Sequence, residues 1–235
     1  MPQTIFITGA DKGLGRALAL QFADQGFQVF AGVFHAESRF EDQDQKPHSG
    51  ITTIPLDVRS LDSVKTAVRQ VGAQVERLDI LLNNAGIHLD DQDQVLDDVD
   101  LEDGSIQAQF ETNTLGPLRC IQQFLPLLRR GQAKRIINIS SEAGSIGQSW
   151  RVGAIGYCMS KAALNMQSSI LVNHLGREGF QIVNMHPGWL ISDIGGPNAD
   201  ITAEEAARGV ITWALKDHPT DRLTYLDYQG KPQLL

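Results

Sequence analysis

Cysteine is nearly missing: the 235 residues hold two, Cys120 and Cys158. They have no metal-ligand spacing, which argues against zinc, and they are too few for a disulfide scaffold. A reducing, cytoplasmic setting is expected. No apolar run reaches the roughly 18 residues of a membrane-spanning helix, so no membrane partner is expected. The opening Met1–Gly9 lacks a basic region, a long apolar stretch and a small-residue cleavage site. It reads as a first strand and not as a signal peptide. Cations are outnumbered, with 20 Lys and Arg against 28 Asp and Glu for a formal charge of -8. Proteins that grip nucleic acid rely on clustered cations, so nucleic acid is not an expected partner. The six histidines are scattered and no Gly-x-Ser-x-Gly elbow occurs, so a hydrolase fits poorly.

What remains is the balance of a folded globular chain, 42% hydrophobic and 20% charged. Apolar, β-rich runs are expected as strands at Thr4–Thr8, Phe27–Val33, Ile51–Pro55, Asp79–Asn83, Arg135–Ser140, Gln181–His186 and Leu223–Leu226. Helical patterns alternate with them at Leu14–Gln25, Leu61–Val75, Ile106–Leu128, Tyr157–Arg177 and Ala203–Lys216. Near-continuous apolar strands such as Ile80-Leu-Leu suit a parallel sheet covered on both faces. One doubly wound α/β domain over residues 1–235, with about seven parallel strands and helices on both faces, is therefore predicted. Two polar stretches, Glu37–Gly50 and the Asp-rich Asp90–Asp103, read as solvated loops. No metal site is expected. The second stretch lacks the Gly that a Ca²⁺ loop places after its third ligand.

The segment Thr8-Gly-Ala-Asp-Lys-Gly-Leu-Gly15 joins the first strand to the first helix. Glycines 9, 13 and 15 let the backbone turn sharply and approach a diphosphate, which the helix-start amides attract. A purely structural turn is the alternative for this feature alone.

The spacing Thr-Gly-x-x-x-Gly-x-Gly resembles the short-chain dehydrogenase/reductase family, and the resemblance runs through nearly the whole chain. Asp57-Val58 is similar to the family's adenine-contacting pair, and Asn83-Asn84-Ala85-Gly86 to the signature that steadies the sheet against the cofactor. Asn113 matches the helix asparagine of the catalytic set, Ser141 its serine, and Tyr157-Cys-Met-Ser-Lys161 its Tyr-x-x-x-Lys. Pro187-Gly188 follows the sixth strand, and Ser192 stands where the family has a Thr that contacts the nicotinamide. Further likeness to the small C-factor-like and sniffer-like members lies in His186–Asp193, Gly195–Asn198 and Tyr225–Lys231. The resemblance implies a Rossmann-like fold and an NAD(P)-dependent carbonyl reductase or alcohol dehydrogenase acting on a small carbonyl or alcohol. It implies cofactor contacts at Gly9, Lys12, Gly13, Leu14, Gly15, Phe34, Asp57, Val58, Asn84, Ala85, Gly86, Tyr157, Lys161, Pro187, Gly188 and Ser192. It also implies a homodimer or homotetramer built through the helices that begin near Asn113 and Tyr157, and a water held by Asn113.

Alone, Tyr-x-x-x-Lys reads more readily as a solvated helix pair; Ser141 at a strand end and the glycine turn upstream shift the expectation to a reaction site. Tyr157 and Lys161 are four apart and share a helix face. A nearby ammonium favours the phenolate and should lower the tyrosine pKa, readying it to exchange a proton with a substrate oxygen. Ser141 can hydrogen-bond the same oxygen. Ser141 stands 16 positions before Tyr157, slightly more than is usual in the family, so Ser140 stays open as the alternative. Ile146, Trp150 and Trp189 either wall a substrate pocket or simply pack, and the 189–201 segment should form a substrate loop. The expected end of strand two, Ala31–His35, carries no carboxylate, which favours NADP over NAD. Lys12 is the expected partner of the 2′-phosphate, with His35 or Arg39 as a second cation because Phe34 stands where NADP-using relatives have Arg. The competing function is a signalling or sensor protein of the C-factor-like type that binds the cofactor with little turnover.

Overall fold

The computed structural model describes residues 2–35, 37–41, 47–89 and 95–235. Its strands are β1 (Thr4–Thr8), β2 (Gln28–Val33), β3 (Ile51–Pro55), β4 (Ile80–Asn83), β5 (Arg135–Ile139), β6 (Gln181–His186) and β7 (Thr224–Asp227). They form one sheet in the order β3-β2-β1-β4-β5-β6-β7, and every neighbouring pair is parallel. The helices are α1 (Gly13–Asp24), α2 (Leu61–Gly72), α3 (Ser105–Phe110), α4 (Gly116–Arg130), α5 (Ile155–Leu175) and α6 (Ala203–Ala214). The predicted doubly wound α/β domain is what forms.

Alternation along the strands builds two cores. Ile5 and Ile7 of β1 face α1 and α6, while Phe6 between them faces the side of α2, α4 and α5. Phe6 meets Phe124 of α4 with ring centroids 4.4 Å apart. A fully buried side chain of this size contributes about 1.5–3 kcal/mol, so the sheet is clamped from both faces. Helix starts follow local chemistry. Ser60 caps α2 by accepting from Ser63 N, and Thr202 caps α6 by accepting from Glu205 N.

Chain order runs outward from β1 to β2 and β3, then jumps back to β4 on the other side of β1. Outside the carboxyl ends of β1 and β4 the two halves therefore part, which is where ligands of such sheets bind.

Observed boundaries depart from the expected ones by a few residues, with one difference in kind. The helix expected over Ile106–Leu128 is interrupted: α3 passes through a π-helical turn, Glu111–Leu115, into α4. A π turn inserts an extra residue and re-aims side chains, here Asn113. The polar stretch expected over 37–50 includes 42–46, and the acidic one includes 90–94. Both parts lie outside the described residues.

Candidate active site

Thr8 ends β1 and ties two chain segments together. Its hydroxyl accepts from the amides of Asn84 and Ala85, each at 3.0 Å. Asn84 returns the contact, donating to the carbonyls of Thr8 and Gly9 at 3.0 and 2.9 Å. The glycine turn is thus fixed against the end of β4. Gly15 must lack a side chain, since a Cβ there would lie 2.1 Å from the Gly9 carbonyl oxygen. Gly13 is different: its φ is +52°, and a Cβ would point into open space. No side chain caps the start of α1, and Leu14 is buried beneath it. Free first-turn amides, an open approach and a close-packed floor together fit a dinucleotide diphosphate.

Across the cleft, Ser141, Tyr157 and Lys161 converge at the end of β5. Tyr157 stands in the first turn of α5 and hydrogen-bonds Ser141. Lys161 is buried one turn later, donating to the Ile139 carbonyl at 2.9 Å, with its ammonium 5.7 Å from the Tyr157 ring centre. Gly86, after the end of β4, packs against both helices here: a Cβ on it would stand 3.3 Å from Asn113 Oδ1 and 3.6 Å from Lys161 Nζ. Asn113 is fully buried. It accepts from Ile87 N at 2.8 Å and donates to Ile87 O at 2.8 Å and Ser160 Oγ at 3.0 Å. Ser140 does not compete with Ser141, because its hydroxyl is spent on Asn165 Oδ1 at 2.7 Å, away from Tyr157.

The titration of this group departs from expectation. Burial pulls the Lys161 ammonium down to about 8. Burial likewise pushes the Tyr157 phenol up to about 12, against the downward pull of its Ser141 hydrogen bond. The lowering by Lys161 predicted from the helix spacing is not found; the loss of water around the phenol dominates. Tyr157 therefore carries its proton at neutral pH in this structure.

Several supporting residues were given no role by the sequence, although Asn83, His186 and Tyr225 lie in segments it singled out. Asn83, Asn138 and Asn184 face one another on β4, β5 and β6. They are joined by hydrogen bonds of 2.9 and 3.2 Å and continue through Asn165 to Ser140 and the Gly144 carbonyl. The signal was an Asn in each of three neighbouring apolar strands. Tyr225 of β7 donates to the Ser141 carbonyl at 2.6 Å. The His88 ring lies on Tyr157 with centroids 4.4 Å apart. In the longer loop before α5, Arg151 folds back to pair with Glu142, next to Ser141. His186 is a strand-end residue whose imidazole pKa burial holds below its usual value.

The residues expected to meet the adenosine make contacts of their own. Asp57 is held by Arg59 through two hydrogen bonds of 2.9 Å. Arg59 in turn lies 5.5 Å from the centre of the exposed Phe34 ring. Val58 is buried against Gly116. Lys12 is paired with Asp193 of the 189–201 segment, across the cleft. Pro187 and Gly188 turn the chain out of β6, with Gly188 at φ +87°. The Ser192 hydroxyl accepts from Gly195 N at 3.1 Å. Ile146, Trp150, Val152, Trp189 and Ile191 are exposed. Ile146 and Trp150, offered as either wall or packing, are thus not packed into the core.

The family model described as short chain dehydrogenase matches residues 3–202. C-signal of Myxococcus xanthus is 39% identical over 153 residues, spanning 65% of this chain and 90% of that protein. NADPH-bound carbonyl reductase from chicken fatty liver superposes with a TM-score of 0.86 at 29% identity, over 100% of this chain and 99% of that one. The carbonyl reductase Sniffer of D. melanogaster gives 0.86 at 26% identity, over 100% of both chains.

Proposed function

The chain belongs to the short-chain dehydrogenase/reductase family, and from that premise we propose that it transfers a hydride between NADP(H) and a small carbonyl or alcohol substrate. The observation that carries this reading is the convergence of Ser141, Tyr157 and Lys161 beside an uncapped, glycine-floored helix start. Bound in that cleft, the nicotinamide supplies or accepts the hydride. Gly13, Leu14 and Gly15 offer amides to the diphosphate, while Gly9, Asn84, Ala85 and Gly86 form the floor. Asp57, Val58 and Phe34 border the adenine, and Pro187, Gly188 and Ser192 border the nicotinamide. Lys12, Arg39 and Arg59 place cations near the 2′ position, and the NADPH carried by the chicken enzyme supports NADP(H) here.

Tyr157, hydrogen-bonded to Ser141 and set near the Lys161 ammonium, is the general acid for a carbonyl oxygen in reduction. Ser141 donates to the same oxygen and stabilises the charge that develops there. Lys161 keeps a cation beneath the tyrosine, and Asn113 braces the Gly86–Ile87 backbone between them. The exposed Ile146, Trp150 and Trp189 favour an apolar substituent on the substrate. Copies are proposed to associate through α4 and α5, where Leu118, Met166 and Ile170 are exposed.

Likeness to C-signal supports a second reading, a cofactor-binding signalling protein with little turnover. A panel of aldehydes and ketones with NADPH, run on wild type and Tyr157→Phe, separates the two. Hydride transfer predicts turnover that Tyr157→Phe lowers by about 10²–10⁴-fold while NADPH still binds. Tight NADPH binding without turnover across the panel favours the signalling reading, and undiminished turnover in Tyr157→Phe refutes the role of the tyrosine.

A further inference from the structure

The end of β2 does carry a carboxylate, delivered from another part of the chain. Ala10 N donates to the Gly32 carbonyl at 2.9 Å, laying the glycine turn along the end of β2. The next residue, Asp11, reaches over that end. Its Oδ2 accepts from Phe34 N at 2.9 Å. Its Oδ1 accepts from His35 N at 2.7 Å and from Ser38 Oγ at 3.2 Å. In doubly wound folds the adenosine ribose sits here, with its 2′ oxygen against this strand end. The backbone amides available to a 2′-phosphate are thus already taken by a carboxylate. The nearby cations are engaged too: Lys12 with Asp193, Arg59 with Asp57, and Arg16 with the Arg39 carbonyl.

We propose that Asp11 is a specificity-determining residue that disfavours the 2′-phosphate, so that this chain accepts NADH alongside NADPH. The inference rests on the hydride-transfer reading above and deepens its cofactor subsite. A 2′-phosphate must approach Asp11 against like-charge repulsion, offset by Lys12, Arg39 and Arg59. A 2′-hydroxyl meets no such repulsion and can donate to Asp11, whose Oδ2 keeps a spare lone pair. The signal was in the sequence as an Asp between the first two glycines of the turn, yet the reach from residue 11 to residues 34 and 35 is a tertiary contact.

Binding decides this without turnover. Purified wild type, Asp11→Asn and Asp11→Ser are titrated with NADPH and NADH by cofactor fluorescence, and with 2′,5′-ADP and 5′-ADP by competition. In wild type the two dinucleotides should bind within about tenfold of each other, a gap of about 1.4 kcal/mol. In both variants the preference for NADPH, and for 2′,5′-ADP, should rise by about tenfold or more. Wild type favouring NADPH by about 100-fold overturns the proposal whether or not the variants fold. A folded variant whose preference moves by less than about threefold overturns it as well. If wild type binds neither dinucleotide, hydride transfer itself fails and the subsite proposal falls with it.

Discussion

Replacing Lys161 by Met should make the protein more stable and inactive. Lys161 is 4% exposed, and no carboxylate among the described residues pairs with it. Its ammonium titrates at about 8, down from the ordinary 10.5, because burial strips it of water. At 1.36 kcal/mol per pH unit, carrying that charge costs the folded state about 3 kcal/mol at neutral pH. Met removes the charge but leaves the Ile139 carbonyl without its 2.9 Å partner, a loss of about 1 kcal/mol. A net gain of about 2 kcal/mol is expected for Lys161→Met at pH 7. The sign of its pH dependence follows from which state holds the proton more tightly. The unfolded chain keeps the lysine proton up to 10.5 and the folded one only to about 8, so wild type gains stability as pH rises between them. By pH 9.5 about 2 kcal/mol of the penalty is gone, and the two proteins should be nearly equal. Burial holds Cys120 and Tyr157 up at about 12 in the fold. Both groups are present in both proteins, so their titration cancels in the difference. Urea unfolding of the pair at pH 7 and 9.5 measures this, with turnover assayed alongside. A variant less stable than wild type at pH 7, or a gap that does not change between the two pH values, would refute the reasoning.

Asn138→Leu should cost about 2–4 kcal/mol in urea unfolding, since it strands the Asn83 amide and the Asn184 carbonyl oxygen, both buried. Turnover should fall more than folded yield, because the same network anchors Ser140 next to Ser141. On the α4–α5 face, light scattering of wild type at micromolar concentration should report a dimer or larger species. Ile170→Asp should then shift it to monomer mass, and a monomeric wild type would remove that proposal.

What the sequence disclosed and what it withheld divide along a physical line. The seven strands and the positions of Gly13, Ser141, Tyr157 and Lys161 were legible because strand ends and helix starts are local. Alternation of apolar residues and the placement of glycines announce them within a few positions. Contacts between distant segments were not legible. Asp11 at the end of β2 and Lys12 paired with Asp193, 181 positions away, exist only once the glycine turn is laid against the sheet. The π turn at Glu111–Leu115 was hidden for a related reason. Helical periodicity continues on both sides of it, and a single inserted residue leaves no compositional trace. The tyrosine pKa was misjudged because the Tyr-x-x-x-Lys spacing reports a neighbouring charge and says nothing about burial.

That last failure points to what the site is built for. An ammonium at Lys161 is not required for packing, and an apolar side chain there should give a more stable fold. Retaining such a charge, bonded to a main-chain carbonyl and set under a phenol, is the stability cost expected of the proposed proton chemistry. The Asn ladder across β4, β5 and β6 has the same character. Apolar side chains at all three positions would fill the sheet, yet amides hold Ser140 and the Gly144 carbonyl on either side of Ser141 and its neighbours. A buried ammonium and a ladder of buried amides thus stand beside one hydroxyl pair, Ser141 and Tyr157. The argument for catalysis is therefore geometric: Ser141, Tyr157 and a buried ammonium meet in one place, and packing alone does not account for the charge.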